Sequence, residues 1–250
     1  MCGIFGGIGK KVANNRNLMA ALACFNMPRG TDSTGFFVIG SEFIKDKHKG
    51  RRIVKGAYSA DDFVIQPEYK HVFELDNIAT CGHVRSASVG RVTNENAHPF
   101  RSGGTVGCHN GTVNNLEDIR KICSSNFETD SEYLVWMLEN TNNLNKARGQ
   151  INLTYSKEND TTGATLHLVK AGNPLYVAVS PDEKEMVYSS EEGHLKKSLA
   201  CNGILWDIMS LKEKEDMRIY LDDQVIVYKE SDTFECDISH AYSYNKHTGS

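Results

Sequence analysis

The sequence predicts an α+β protein in which antiparallel β-sheets are buried between layers of helices. Runs typical of strands and of helices follow one another in blocks rather than in strict alternation, which favours antiparallel sheets with helices outside. Several strand-like runs carry apolar residues on both faces, which indicates sheets covered on both sides. The 250 residues are 40% hydrophobic, enough for a large core. No linker divides them, so we expect one domain over residues 2–250.

The periodicity of apolar residues, together with capping residues and prolines, assigns the helices and strands of the first half. The first predicted helix stops before Pro28, and Thr129 with Glu132 forms a capping box that opens the last one. The predicted strands cover residues 2–9, 33–40, 77–88 and 104–113, with a hairpin carrying a charged turn over 41–56. The predicted helices cover residues 15–27, 59–67, 115–125 and 129–141.

The second half is predicted to be mostly β-structure. Three short β-rich runs cover residues 164–172, 174–180 and 185–190. A helix is expected over 191–201, and a hairpin over 217–230 has Asp222 and Asp223 at its turn.

Composition excludes several classes of function. With 28 basic and 32 acidic residues the net charge is -4, which does not favour a nucleic-acid partner. No apolar run is long enough to span a bilayer, and the N-terminus lacks the pattern of a signal peptide. The seven cysteines are odd in number and none is spaced as C-x-x-C. We therefore expect a cytoplasmic protein with reduced thiols, no metal and no organic cofactor.

The second residue, Cys2, has a chemistry that its position makes possible. After removal of Met1, one residue would carry both a thiol and an α-amine. An α-amine has a pKa of about 7.7–8.0 and can act as a base near neutral pH. The thiolate is a strong nucleophile, so nucleophile and base would belong to the same residue. By position alone, the more ordinary interpretation of Cys2 is an incidental small residue near a frayed end.

Three later stretches contain residues suited to binding a charged substrate or an oxyanion. In GHVRSAS, Arg85 ends a buried strand and can grip a carboxylate with two hydrogen bonds. In CHNGTV, Asn110 and Gly111 form either a tight hairpin turn or a pair of neutral donors for an oxyanion. In ETDSEYL, Asp130 lies in a first helical turn. It is either an acidic residue that the helix dipole stabilises or a carboxylate that pairs with a substrate ammonium.

Taken together and in this order, the motifs resemble those of the class II glutamine amidotransferases. The matching stretches are MCGIFG, RGTDSTG, GHVRSAS, NAHPF, CHNGTV and ETDSE, and a looser match extends the resemblance over roughly residues 2–229. The resemblance implies the N-terminal-nucleophile hydrolase fold. This fold is a four-layer αββα sandwich, which agrees with the layered prediction above.

The resemblance also implies a role for each matching residue. Cys2 would be the nucleophile, with its own freed amine as the base, and Asn110 and Gly111 would form the oxyanion hole. Arg85 would bind the α-carboxylate of glutamine, and Asp130 would bind its α-ammonium.

Further residues would support this site by resemblance. Arg29 would stabilise the N-terminal region near the thiol, and His98 would pack near the site as a structural residue. The segment from Arg85 to about residue 94 would close over bound glutamine, with Ser88 keeping a hydroxyl for the substrate.

The sequence departs from the sugar-phosphate synthase branch of the family in that segment. Ser86 and Val89 stand where that branch has a tryptophan and a histidine. This departure argues against a sugar-phosphate synthase and leaves glutaminase activity in place, since other branches also lack the two residues.

The expected activity is hydrolysis of glutamine to glutamate and ammonia through a Cys2 thioester. The chain has no second domain of acceptor type, so the sequence predicts a glutaminase subunit that feeds ammonia to a separate synthase. One alternative is an amidohydrolase on another amide, such as a γ-glutamyl compound. The other is a non-catalytic binding module, which retention of Met1 would favour.

Overall fold

The computed structural model describes residues 1–45, 50–141, 143–157, 164–221 and 228–233. Their helices are α1 Lys10–Ala13, α2 Arg16–Asn26, α3 Glu42–Lys45, α4 Ala60–Ile65, α5 Leu116–Ile122, α6 Asp130–Thr141 and α7 Glu192–Cys201. The strands are β1 Gly3–Ile8, β2 Ser33–Gly40, β3 Arg51–Gly56, β4 Asn77–Arg85, β5 Phe100–Ser102, β6 Thr105–Val113, β7 Gly149–Lys157, β8 Ala164–Lys170, β9 Tyr176–Val179, β10 Met186–Ser189, β11 Ile208–Ser210, β12 Glu215–Leu221 and β13 Tyr228–Thr233.

The strands form two antiparallel sheets. The first has seven strands in the order β11-β9-β10-β1-β4-β2-β3, and the second has six in the order β13-β12-β8-β7-β6-β5. The N-terminal strand β1 lies in the interior of the first sheet, where Phe5 pairs with Ser189 on one side and Gly82 on the other. Every residue of β1 is buried. The start of the chain is therefore fixed by hydrogen bonds on both edges.

Three layers of apolar packing hold the elements in place. Between the sheets, Ile4 and Phe37 of the first sheet pack with Val106 and Leu168 of the second. On the outer face of the first sheet, the core is made by α2, α4 and α7. On the outer face of the second sheet, α5 and α6 supply the apolar cover. The predicted four-layer αββα arrangement is thus confirmed.

Local signals in the sequence explain where the main helices begin and end. Helix α2 is capped by Asn15, whose side chain accepts a hydrogen bond from the Leu18 N–H at 3.0 Å, and it ends two residues before Pro28. Before α6, the Thr129 hydroxyl accepts from the Glu132 N–H at 3.3 Å, as the predicted capping box requires.

The structure corrects one local prediction and decides another. Residues 42–45 form helix α3 rather than a hairpin strand, because a helical turn places Phe43 in the core between the sheets. Strand β3 still forms, and its partner is β2. Strand β6 runs through Asn110 and Gly111 without turning. The predicted turn at 222–223 lies outside the described residues, although its two strands pair, with Tyr220 opposite Tyr228.

In the part of the chain that the structure describes, no helix combines the length and apolar character that crossing a bilayer needs.

Candidate active site

The candidate site is built where β1 begins and β4 ends. Cys2 directly precedes β1, and its Sγ lies 3.5 Å from the carbonyl oxygen of Ser86, which follows β4. Burial raises the pKa of the Cys2 thiol. The charge of Arg85 opposes this rise, and that of Asp130 adds to it. Both charges therefore act on the sulfur, and the thiol stays protonated until a base takes its proton.

The backbone of Cys2 is held by a buried arginine. The Nε atom of Arg29 donates to the Cys2 carbonyl oxygen at 2.6 Å, and a terminal nitrogen of the same guanidinium pairs with the carboxylate of Glu191. Arg29 belongs to the short turn that follows α2, and its side chain is buried. Arg29 thus contacts the backbone of the residue that carries the thiol, and its stabilising role there stays a prediction.

The rest of the RGTDS stretch fixes the end of β4. The Asp32 N–H donates to the Arg85 carbonyl at 2.9 Å, and the Asp32 carboxylate accepts from the Ala87 N–H at 2.7 Å. A Cβ atom on Gly30 would lie 2.3 Å from the Arg85 carbonyl carbon, so this close approach needs glycine. The sequence analysis gave Asp32 no role, although it lies in the matching stretch RGTDSTG, and so missed this positioning contact.

The guanidinium of Arg85 is held by the loop that follows it. Its two terminal nitrogens donate to the carbonyl oxygens of Val89 at 2.6 Å and Arg91 at 3.0 Å. These bonds occupy two of the five N–H groups that a guanidinium carries. A buried charge needs a partner, and the partners of the Arg85 guanidinium are main-chain oxygens of the 86–91 loop.

The same loop is fastened to the start of α6 by a polar latch. Arg91 pairs with Glu128 at 2.6 Å, and the Asn96 amide donates to the Glu128 carboxylate at 2.7 Å. The hydrogen bonds from Arg91 and Asn96 lower the pKa of Glu128 to about 2. This latch holds the loop against the helix whose first residue is Asp130.

Ser88 does not contact the other predicted site residues. It is exposed on the loop, and no hydrogen bond joins it to another site residue within the described ranges. The two residues that depart from the synthase branch, Ser86 and Val89, reach the site through carbonyl oxygens rather than side chains. Replacing their side chains therefore leaves these loop contacts in place.

Asn110 and Gly111 lie side by side on β6, opposite the start of β1. Asn110 is buried, and its Nδ2 donates to the Ser190 hydroxyl at 3.2 Å. Gly111 has φ +154°, and a Cβ there would lie 1.9 Å from the Gln150 carbonyl oxygen. Only glycine fits this position. Sequence reasoning missed Ser190, although this residue lies within the looser family match over roughly residues 2–229.

Asp130 joins the start of α6 to the end of β6. Its Oδ2 accepts from the Val113 N–H at 3.0 Å, and its side chain is buried. Val113 is two residues after Gly111, so this bond ties the Asp130 carboxylate to the strand that carries Gly111. The predicted pair of donors and the predicted carboxylate are thus brought to one end of the sandwich.

A buried pair of histidines is formed by His83, which lies two residues before Arg85 on β4, and His98. The rings of His83 and His98 stack with their centroids 3.8 Å apart, and His98 also packs edge-on against Phe100. Burial lowers the pKa of His83 to about 3 and that of His98 well below its usual value. The predicted packing role of His98 agrees with this geometry. Among the described residues, no group of three or more His, Cys, Asp or Glu side chains is arranged to hold a metal ion.

The architecture and the site define the class of protein. Two stacked antiparallel sheets between helices are the fold of the N-terminal-nucleophile hydrolases. A B. subtilis glutamine phosphoribosylpyrophosphate amidotransferase solved with ADP and GMP superposes with TM-score 0.71 at 18% identity, over 94% of this chain and 49% of that chain. A glutamine aminotransferase class-II domain protein from Silicibacter pomeroyi superposes with TM-score 0.55 at 14% identity, over 93% of this chain and 99% of that one.

Sequence similarity then identifies the family. Residues 8–216 match the model of the class-II glutamine amidotransferases, and the chain belongs to that family. The glutamine--fructose-6-phosphate aminotransferase of Streptococcus mutans is 26% identical over 241 residues, which are 93% of this chain and 36% of that protein. Its counterpart from Sulfurisphaera tokodaii is 30% identical over 147 residues, 56% of this chain and 23% of that protein. The chain thus spans well under half the length of these curated relatives.

The buried histidines predict an acid-sensitive fold. Their folded pKa values lie below the ordinary value near 6.5, so their contribution to stability is present above that pH and is lost as pH falls toward 3. Replacing His98 by Phe keeps a ring in the stack and removes one titrating group. We expect the free energy of unfolding at pH 7.5 to change by less than about 1.5 kcal/mol.

The informative quantity is the loss of that free energy between pH 7.5 and 5, measured by urea unfolding at both values. This loss should be smaller in His98→Phe than in the wild type. An equal loss in both proteins would contradict the assignment of a neutral buried His98.

Proposed function

We propose that this protein hydrolyses the side-chain amide of glutamine to glutamate and ammonia, with Cys2 as the nucleophile. The observation that carries the proposal is the placement of two buried side chains of opposite charge: Arg85 directly precedes Ser86, whose carbonyl oxygen lies 3.5 Å from the Cys2 sulfur, and Asp130 is bonded to the strand that carries Asn110 and Gly111. A free amino acid carries the complementary pair, a carboxylate and an ammonium, which a guanidinium and a carboxylate recognise. Membership of the class II family supports the same substrate.

Activation would begin with removal of Met1. Met1 is 78% exposed, so an aminopeptidase can reach the residue that it would remove. Removal converts the Cys2 backbone nitrogen into an α-amine whose pKa lies near 8, well suited to act as a base at neutral pH.

In the first chemical step, the α-amine of Cys2 takes the thiol proton while Sγ attacks the amide carbon of glutamine. The C–S bond forms, and the carbonyl π electrons move onto oxygen. The side-chain amide of Asn110 and the N–H of Gly111 would stabilise that oxyanion, since neutral donors in a dry site act strongly on developing charge. The α-ammonium then gives its proton to the leaving nitrogen, the C–N bond breaks, and ammonia departs from a thioester.

The second step returns the enzyme to its starting state. Water gives a proton to the Cys2 amine and attacks the thioester carbon through the same oxyanion arrangement. The C–S bond breaks, the sulfur regains its proton from the α-ammonium, and glutamate is released. Arg29 would act as a positioning residue throughout, because its bond to the Cys2 carbonyl holds the residue that carries both reacting groups.

Substrate binding would use the loop that already surrounds Arg85. The carbonyl oxygens of Val89 and Arg91 engage two N–H groups of the guanidinium. A bound α-carboxylate would take N–H groups that remain, so the loop would stay closed over the ligand. The latch between Arg91 and Glu128 supports this closed arrangement.

We further propose that the ammonia is delivered to an acceptor bound to a separate synthase subunit. Two of the similar proteins, the glutamine--fructose-6-phosphate aminotransferase and the glutamine phosphoribosylpyrophosphate amidotransferase, are by name transferases of nitrogen from glutamine. The departures at Ser86 and Val89 argue against the acceptor of the synthase branch that carries a tryptophan and a histidine there.

The first prediction concerns the nucleophile. Cys2→Ala removes the thiol and should reduce glutamate release from glutamine by at least about 10³-fold. Cys201→Ala, which alters an exposed cysteine on α7, is the matched control and should keep wild-type activity. Intact-mass spectrometry of the active wild type should show loss of Met1. Full activity in Cys2→Ala, or in protein that retains Met1, would refute the mechanism.

The second prediction tests the substrate class. Arg85→Gln removes the charge that pairs with the α-carboxylate, a loss of about 1.5–3 kcal/mol. We expect KM for glutamine to rise about 10- to 100-fold, measured by steady-state glutamate release. Arg101→Gln, at an exposed position on β5, should leave KM unchanged. An unchanged KM in Arg85→Gln would instead favour an amide substrate without a free α-carboxylate, the alternative that the sequence left open.

The third prediction tests transfer to a separate subunit. The protein alone should release glutamate and ammonia in equal amounts. With a co-purified partner and its acceptor present, glutamate release should rise several-fold, and the recovered ammonia should fall below the glutamate. Equal release of the two products under every such condition would exclude coupled transfer.

A further inference from the structure

Ser190, the residue that follows β10, joins the two halves of the candidate site through a single buried hydroxyl. Its Oγ accepts from the Ile4 N–H at 2.9 Å and from the Asn110 Nδ2 at 3.2 Å, and it donates to the Ile4 carbonyl oxygen at 3.2 Å. The hydroxyl therefore uses its one proton and both of its lone pairs.

The two partner residues, Ile4 and Asn110, come from different parts of the fold. Ile4 lies two residues after Cys2 on β1, and Asn110 lies on β6 in the opposite sheet. A second bond, from the Ser190 N–H to the Ile4 carbonyl at 2.9 Å, fixes Ser190 against β1. The hydroxyl thus sets the distance between the strand that starts at the nucleophile and the side chain proposed for the oxyanion hole.

The hydroxyl also selects the orientation of the Asn110 amide. Because the Ser190 proton is directed to the Ile4 carbonyl, Oγ presents only lone pairs to Asn110. The nitrogen end of the amide must face Ser190, since the oxygen end would meet a lone pair. Asn110 therefore donates one of its two side-chain N–H groups to Ser190. The second N–H lies on the same nitrogen end of the amide.

We infer that Ser190 is a positioning residue for the oxyanion hole, acting through Asn110 and β1 rather than on the substrate. The inference rests on the proposed glutaminase function for its kinetic consequence. The hydrogen bonds on which it is built do not depend on that function.

The chain offers a matched control in the neighbouring residue. Ser189 is also fully buried at the end of β10, and its hydroxyl bonds to the side chain of Asn26, on α2. Ser189→Ala therefore removes a hydroxyl of equal burial from the same strand end without touching Asn110. General damage to β10 would affect both variants alike.

The test is a double-mutant cycle between Ser190→Ala and Asn110→Ala, measured as kcat and KM for glutamine hydrolysis. We expect Ser190→Ala to lower kcat about 10- to 100-fold, with KM within about 2-fold. In the Asn110→Ala background, Ser190→Ala should lower kcat less than about 3-fold further. Ser189→Ala should leave kcat within about 3-fold of the wild type. Losses that multiply in the double variant, or an equal loss in Ser189→Ala, would overturn the inference.

A second measurement separates this inference from the proposed function. In ¹⁵N NMR spectra, the Asn110 side-chain amide signals, assigned by their loss in Asn110→Ala, should shift in Ser190→Ala and stay in place in Ser189→Ala. This holds even if the wild type does not hydrolyse glutamine, an outcome that would refute the proposed function alone. Unshifted Asn110 signals would refute the role of Ser190. If Ser190→Ala is too unstable to measure, Ser190→Cys, similar in shape and weak as a hydrogen-bond partner, should show the same shifts.

Discussion

The pairing of β1 inside the first sheet is the constraint on which the rest of the site depends. A chain terminus is ordinarily mobile, and a nucleophile there would lose the alignment that catalysis needs. Here β4 pairs with the strand from Gly3 onward and β10 pairs with it from Phe5 onward, and Arg29 holds the carbonyl of Cys2 itself. The sulfur is thereby fixed relative to side chains that lie far from it in sequence.

Much of the fold was predictable because its signals are local. The helix that stops before Pro28, the capping box at Thr129 and the apolar runs of β1 and β4 each follow from short-range chemistry. The segment that forms the short helix α3 was wrongly predicted as part of a hairpin, because Phe43 enters the core between the sheets from a single helical turn. No periodicity can develop over four residues, so a tertiary contact decided that segment.

The site was predictable to the extent that motifs encode it. Asn110 and Gly111 are neighbours on β6, Asp130 is bonded to Val113 of the same strand, and Arg85 ends β4; their roles toward glutamine stay predictions. What the sequence did not reveal is how they are held. The partners of Arg85 are carbonyl oxygens, which every residue carries, so residue identity gives no signal for them. Ser190 is 80 residues from Asn110, and a serine at a strand end is too common to single out.

The loop around Arg85 has a consequence for how this region can diverge. Its grip on the guanidinium comes from the main chain at Val89 and Arg91, and its contact with the thiol comes from the main chain at Ser86. Apart from Arg91, whose side chain pairs with Glu128, the exposed side chains of the segment take no part in these contacts. Related enzymes can therefore vary the exposed side chains of this loop to suit different neighbours, while the main chain of the loop keeps its contacts with Arg85 and Cys2.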